Sequence, residues 1–259
     1  MKNSNVDLLL LNPRMMAAYI GTVQVGTLMI ASYVESKGFS TKIIDNNSPY
    51  VDFSNKKLLE KIKRISPSVI GISVYMPNAY NGYKLLGAIR EALPNTLVIA
   101  GGMHSYDAAD EIAEQGFDVV FWGEAEKSLE KFLELTRSHK TNLGRNLMSN
   151  PSFLDSLGKI PGILYPENGG ISKTGQYEII SNLDELPLLN YSLLNLEDFI
   201  YLKSDTARTN VANFVSFQRG CPFACTFCKA PFMEGDLRSN SAEYMVNQLR
   251  ALHDEYGMD

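Results

Sequence analysis

The chain has 259 residues, 45% of them hydrophobic and 20% charged, with a formal net charge of −5. That is the composition of a soluble globular protein with room for one large or two ordinary domains. It excludes a strongly basic nucleic-acid footprint, and no apolar run approaches the roughly 18 residues that cross a bilayer.

Residues 1–137 alternate short Val/Ile/Leu-rich runs with segments of helical length. The runs Val6–Leu11, Thr41–Asp45, Val69–Ser73, Leu97–Ala100 and Val119–Phe121 lack polar alternation, which predicts strands buried on both faces of a parallel sheet. Helices are expected at about 24–37, 54–65, 78–92, 106–115 and 125–137, with Gly38 and Pro94 as stop signals. Five βα units predict an α/β fold with a flavodoxin- or Rossmann-like five-stranded parallel sheet in the order 2-1-3-4-5. Ligands of such sheets bind at the carboxyl ends of the strands, here the loops 12–22, 46–52, 74–78, 101–105 and 122–126. Lys56, Lys57, Lys61, Lys63 and Arg64 fall at helical spacing and read as a solvated helix face.

Over 138–207 Pro and Gly become frequent, and the segment reads as an ordered, mixed connector. Short β pieces are expected at Ile163–Tyr165 and Tyr177–Ile180, the first pairing across Asn168-Gly169-Gly170. In 208–259, Val211–Phe217 predicts a strand running into a cysteine loop, and Ser241 caps a final helix, roughly Ala242–Tyr256, closed by Gly257.

All three cysteines lie in that loop, as Cys221-Pro-Phe-Ala-Cys225-Thr-Phe-Cys228. Such crowding suits metal binding in a reducing, cytoplasmic compartment better than a disulfide framework. Three thiolates are one too few for a closed tetrahedral or cubane site, which points to a cluster with one open iron. Phe223 and Phe227 place aromatic bulk beside the thiols, where it would limit solvent access. The residues alone leave open a zinc site completed by His253.

Arg219 to Cys228 resembles the signature loop of the radical S-adenosylmethionine superfamily. The resemblance implies that Cys221, Cys225 and Cys228 hold a 4Fe–4S cluster whose fourth iron chelates S-adenosylmethionine, cleaved by one electron to a 5′-deoxyadenosyl radical. It places Phe227 beside the adenine and makes Arg238 a further S-adenosylmethionine contact, while Gln248 stands where the family commonly has an acid. Gly71-Ile72-Ser73, Ile99 to His104 and Trp122 to Glu126 resemble the cobalamin-binding domain that precedes many of these enzymes. This implies cobalamin contacts from Ser73, Tyr75, Gly101, Gly102, His104, Gly123 and Glu124; the loop Val74 to Asn78, at the end of the third strand beside the switch point, is expected to lie under the corrin.

None of His104, His139 or His253 sits in an Asp-x-His-x-x-Gly context. The resemblance therefore implies a cofactor whose own base is displaced and whose cobalt has no histidine beneath it. Methyl transfer to an unactivated carbon of a small-molecule or natural-product substrate is the expected chemistry, with a flavodoxin or ferredoxin as electron donor and no nucleic-acid or membrane partner. A corrinoid or iron–sulfur binding module without turnover, and a radical enzyme with a non-binding N-terminal scaffold, stay open. Only the first βα unit of a partial, TIM-like β/α barrel is present before the sequence ends, so the expectation is a fragment inactive alone.

Overall fold

A computed structural model describes residues 6–15, 23–47, 55–139, 144–195, 215–228 and 235–257. Its centre is a sheet whose first five strands are β1 (Leu8–Asn12), β2 (Thr41–Asp45), β3 (Val69–Ser73), β4 (Leu97–Gly101) and β5 (Val119–Phe121). They pair in parallel in the order β2-β1-β3-β4-β5, as the sequence predicts. Interleaved with them are helices α1 (Val25–Ser36), α2 (Asn55–Ile65), α3 (Ala79–Ala92), α4 (Ser105–Glu114) and α5 (Glu126–Ser138).

The unbroken Leu run of β1 shows why these strands need no polar alternation. Leu8 and Leu10 pack with residues of α1 and α5, while Leu9 and Leu11 face α2, α3 and α4. Both faces are dry, and each fully buried leucine contributes about 1.5–3 kcal/mol of transfer free energy. The basic residues of α2 are exposed, as expected.

The connector does more than link. A helix, α6 (Pro151–Leu157), begins at Asn150, whose side chain accepts hydrogen bonds from the Ser152 and Phe153 amides. Strands β6 (Ile163–Glu167) and β7 (Gly170–Lys173) then continue the sheet antiparallel from β5. The turn between them carries Asn168 and Gly169 at positive φ, the signature of a two-residue hairpin turn. Tyr177–Ile180, expected as β, forms no strand. Tyr177 is instead drawn edge-on against Trp122, ring centroids 5.0 Å apart.

The strand expected at Val211–Phe217 lies outside the described residues over 211–214, and its described part is not a strand. Only β8 (Gln218–Arg219) forms, antiparallel to β9 (Arg238–Ser239). Helix α7 (Ala242–Tyr256) follows, capped by Ser241 and closed by left-handed Gly257 as predicted. Its Leu252 and Tyr256 pack on Leu28 and Tyr191, which docks this part of the chain against α1. Gln248 is buried beside them and accepts from the Leu189 amide at 2.7 Å. No helix among the described residues is long and apolar enough to cross a membrane.

Candidate functional site

The carboxyl ends of β3, β4 and β5 open onto a cavity of about 330 Å³, walled by α1 and the start of α5. Leu10, Met29, Ile30, Ile99, Phe121 and Leu129 make its lining largely apolar, and Gly26, Gly71, Gly101, Gly102 and Gly123 keep part of its wall bare of side chains. Gly102 is obligatory for the fold. Its φ is +112°, and an added Cβ would meet the Val74 carbonyl oxygen at 2.6 Å. Gly101 is free of that constraint, since a Cβ there would meet only Phe121, at 3.7 Å.

Of the positions proposed from sequence as cobalamin contacts, Ser73, Tyr75, Gly101, Gly102, Gly123 and Glu124 line this cavity. His104 does not. Its ring lies along α4, 4.0 Å from the Glu111 carboxylate. The α1 wall (Val25, Gly26, Thr27) and the wall formed by Ser216, Gln218 and Arg219 were not legible in the sequence. Gly26 inside a helical segment was the one available signal, because a helix-interior glycine needs a packing reason. A Cβ there would sit 3.3 Å from the Tyr75 hydroxyl.

Four buried charged side chains join the cavity to the cysteine loop. Arg219 pairs with Glu126 and, at 3.4 Å, with Glu124. Arg238 pairs with Glu124 and donates to the Ile180 carbonyl at 2.7 Å. The remaining Glu124 capacity takes the Ile180 amide at 2.9 Å. Arg238 and Glu124, read from sequence as contacts to two different cofactors, are thus partners of each other. Burial disfavours the Arg219 charge, but Glu126 and Glu124 more than offset it and raise the guanidinium pKa above its ordinary value. Glu126 is 2% exposed, lines the cavity, and its Oε2 has no hydrogen-bond partner among the described residues.

A second polar cluster stabilises the loop after β1. Thr27 donates to Asn12 at 2.7 Å, Asn12 to Asp45 at 2.7 Å, and the Met15 amide to Asn47 at 2.7 Å. Burial raises the Asp45 pKa, against the lowering effect of hydrogen bonds from Asn47 and Asn12. Residues 16–22 of this loop, and 48–52 of the loop after β2, lie outside the described residues.

The cysteine loop is fixed at its base. Gly220 has φ +87°, and a Cβ there would meet the Asp236 carbonyl oxygen at 2.2 Å, so only glycine closes this hairpin. A turn at Thr226-Phe227 brings the Cys228 amide to the Cys225 carbonyl at 3.1 Å. All three thiols are free, with Cys225 exposed and the other two half-buried. Phe223 and Phe227 are exposed, Phe227 by 91%, so neither shields the thiols as the sequence suggested. No three His, Cys, Asp or Glu side chains among the described residues converge as a metal-ligand set, and His253 turns to Asp254 at 2.9 Å instead.

The residues present fit both implied groups. An apolar cavity with glycine in its wall and one unpartnered buried acceptor suits one flat, apolar part of a cobalamin, with a neighbouring hydroxyl or amide as the donor. Three free thiols on one loop are the soft donor set that iron–sulfur clusters take.

Comparison with known proteins agrees with this geometry. Residues 19–133 match the B12 binding domain family. The chain is 28% identical over 237 residues to an uncharacterized methyltransferase of Pyrococcus horikoshii, covering 90% of this chain and 46% of that protein. It is 24% identical over 217 residues to the anaerobic magnesium-protoporphyrin IX monomethyl ester cyclase of Cereibacter sphaeroides, covering 83% and 32%. Among solved structures, the cobalamin-dependent S-adenosylmethionine radical enzyme OxsB with aqua-cobalamin bound superposes with a TM-score of 0.74 at 18% identity, over 99% of this chain and 33% of its own. The methyltransferase TsrM from Kitasatospora setae, with cobalamin and a 4Fe–4S cluster bound, superposes at 0.72 and 17% identity, over 97% and 47%.

The fold is therefore an α/β sheet with an apolar cavity at its strand ends and a cysteine loop following one wall of that cavity, and residues 19–133 of it are similar to B12 binding domains. Over nearly its whole length the chain also shares its fold with solved radical S-adenosylmethionine enzymes, at 18% identity or below. It spans between about a third and a half of the length of these relatives.

Proposed function

We propose that this chain holds the two cofactors of a cobalamin-dependent radical S-adenosylmethionine methyltransferase, a corrinoid at the sheet ends and a 4Fe–4S cluster on Cys221, Cys225 and Cys228. One observation carries this reading: a single cavity is lined on one side by Ser73, Gly101 and Gly102 of the sheet and on the other by Ser216, Gln218 and Arg219, the residues that lead into Cys221. Two sites separated by one wall are what a reaction needing both groups requires.

Bound cobalamin would supply a methyl carrier, and S-adenosylmethionine at the cluster a methyl source and one-electron chemistry. The chain's own residues bind and orient. Leu10, Ile99, Phe121 and Leu129 exclude water from the cavity, Tyr75 and Thr27 offer hydroxyls at its edge, and Arg219 holds the strand before Cys221 against Glu126. Exposed Cys225 supports delivery of electrons by a small flavodoxin- or ferredoxin-type donor, and the substrate class is a small molecule or natural product.

Anaerobic incubation with iron, sulfide, reductant and methylcobalamin, followed by gel filtration, tests the reading. Co-elution of corrin absorption bands with the broad iron–sulfur absorption supports it. Iron–sulfur absorption alone would leave the N-terminal region a scaffold, and corrin bands alone would leave a corrinoid carrier.

A further inference from the structure

The two strands that flank the cysteine loop are each anchored to the same short stretch at the start of α5. Arg219, on β8 immediately before Gly220 and Cys221, pairs with Glu126 and Glu124. Arg238, on β9, pairs with Glu124. All four side chains are largely buried, and each guanidinium spreads its two terminal nitrogens over two acceptors, Arg219 over Glu124 and Glu126 and Arg238 over Glu124 and the Ile180 carbonyl, which fixes geometry more firmly than a single surface pair does. The other anchors of the hairpin lie at its open end, where the Asn240 amide donates to the Phe217 carbonyl at 2.9 Å and the Asn240 side chain to Asp184 at 3.1 Å; β8 and β9 are two residues each, and the segment from Cys221 to Cys228 contains no buried residue. Glu126 also presents Oε2 without a hydrogen-bond partner among the described residues, at the lining of the cavity. A buried carboxylate oxygen left unpaired is costly, and a ligand donor reaching it would remove that cost.

We propose that Glu124 and Glu126 are positioning residues for the cysteine loop, clamping both of its flanking strands to the cavity wall, and that a ligand filling the cavity completes the clamp by donating to Glu126 Oε2. The ligand is an apolar, flat group carrying a hydroxyl or amide donor. Its identification with a corrinoid rests on the function proposed above, while the clamp itself does not. Filling the cavity and ordering the thiols thereby become coupled, and the corrinoid site acts on the cluster site without touching it.

Hydrogen–deuterium exchange on the whole chain separates the parts of this proposal, with β3 and β4 as an internal standard for global folding. In the ligand-free protein, Glu126→Gln and Glu124→Gln should raise exchange at residues 216–228 and 235–240 by about tenfold or more, while β3 and β4 stay protected. Arg219→Lys, which keeps the charge but loses the fork, should do the same. Unchanged loop exchange in all three variants overturns the clamp. Loss of protection in β3 and β4 in all three makes the quartet a support of the whole fold and also overturns it.

Methylcobalamin, kept in the dark, is then added, and binding is measured separately by equilibrium dialysis. The wild type should bind it and slow its loop exchange, whereas Glu126→Gln should bind it more weakly and, at a concentration that dialysis shows to saturate the variant, show no such slowing. Binding that leaves wild-type loop exchange unaltered overturns the coupling. Absence of binding to the wild type overturns the corrinoid reading and the coupling together, and the ligand-free comparison still decides the clamp.

Discussion

Along β1, Leu8 to Leu11 are buried without exception, alternately against the two helical layers. From Cys221 to Cys228 no residue is buried, and Phe227 stands 91% exposed. Leu10 of the one and the strand that leads into the other line the same cavity, yet the two regions are held by different forces. Non-directional burial specifies the sheet, so its geometry follows from a repeated pattern of apolar residues. The loop is specified only at its base, by Gly220 and the buried ion pairs, and its thiols carry no packing of their own. Metal-binding loops commonly draw their final order from the metal, whose binding energy is also ordering energy.

The sharpest break in this contrast is the quartet that spans both regions. Glu126→Ala leaves Arg219 largely buried without its main partner and should lower the free energy of opening the cysteine hairpin by about 3–5 kcal/mol, read from hydrogen exchange at residues 216–228, while β3 and β4 stay protected. Next comes Gly102→Ala, which forces a left-handed backbone onto a side chain beside the Val74 carbonyl. It should cost about 1–3 kcal/mol, read from the midpoint of urea unfolding, whereas Gly101→Ala should leave stability within about 0.5 kcal/mol of wild type. Cys221→Ala tests the separation from the other side. Thermal unfolding should move by no more than about 0.5 kcal/mol, because this half-buried thiol contributes little packing, while iron uptake on reconstitution is lost.

The smallest effect concerns pH. Asp45 has a folded-state pKa raised by burial above its unfolded value, so the folded chain holds this proton more tightly than the unfolded chain. Its contribution to stability is therefore fully present below about pH 4 and declines as pH rises through the raised folded value. Asp45→Asn should flatten that decline in urea titrations run from acid to neutral pH.

The sheet was legible to within a residue or two because its signal is repetitive. Thr41–Asp45, Val69–Ser73 and Val119–Phe121 are found with the bounds that the sequence predicts. The connector was harder for physical reasons. β7 is a mostly exposed edge strand of four residues with no apolar run to mark it, and α6 is only seven residues long, too short to show a helical period. Tyr177–Ile180 carries β-type residues but uses them for tertiary contacts, Tyr177 against Trp122 and the Ile180 backbone with Glu124 and Arg238. At the site, the glycines announced the strand ends that frame the cavity, although Gly102 and Gly123 are held to glycine by positive φ and close neighbours. The pairing of Glu124 and Glu126 with Arg219 and Arg238 spans more than 90 residues of sequence, and nothing local marks such a contact.

The central claim is that one chain carries two cofactor sites on opposite sides of a shared wall. It is tested most directly by counting cobalt and iron per chain after anaerobic reconstitution, in the wild type, in Gly101→Leu and in a variant with all three cysteines changed to alanine. The account predicts that Gly101→Leu, which fills the cavity without backbone strain, loses cobalt and keeps iron, and that the cysteine variant loses iron and keeps cobalt. Cobalt retained by Gly101→Leu, or iron retained without the cysteines, would contradict it.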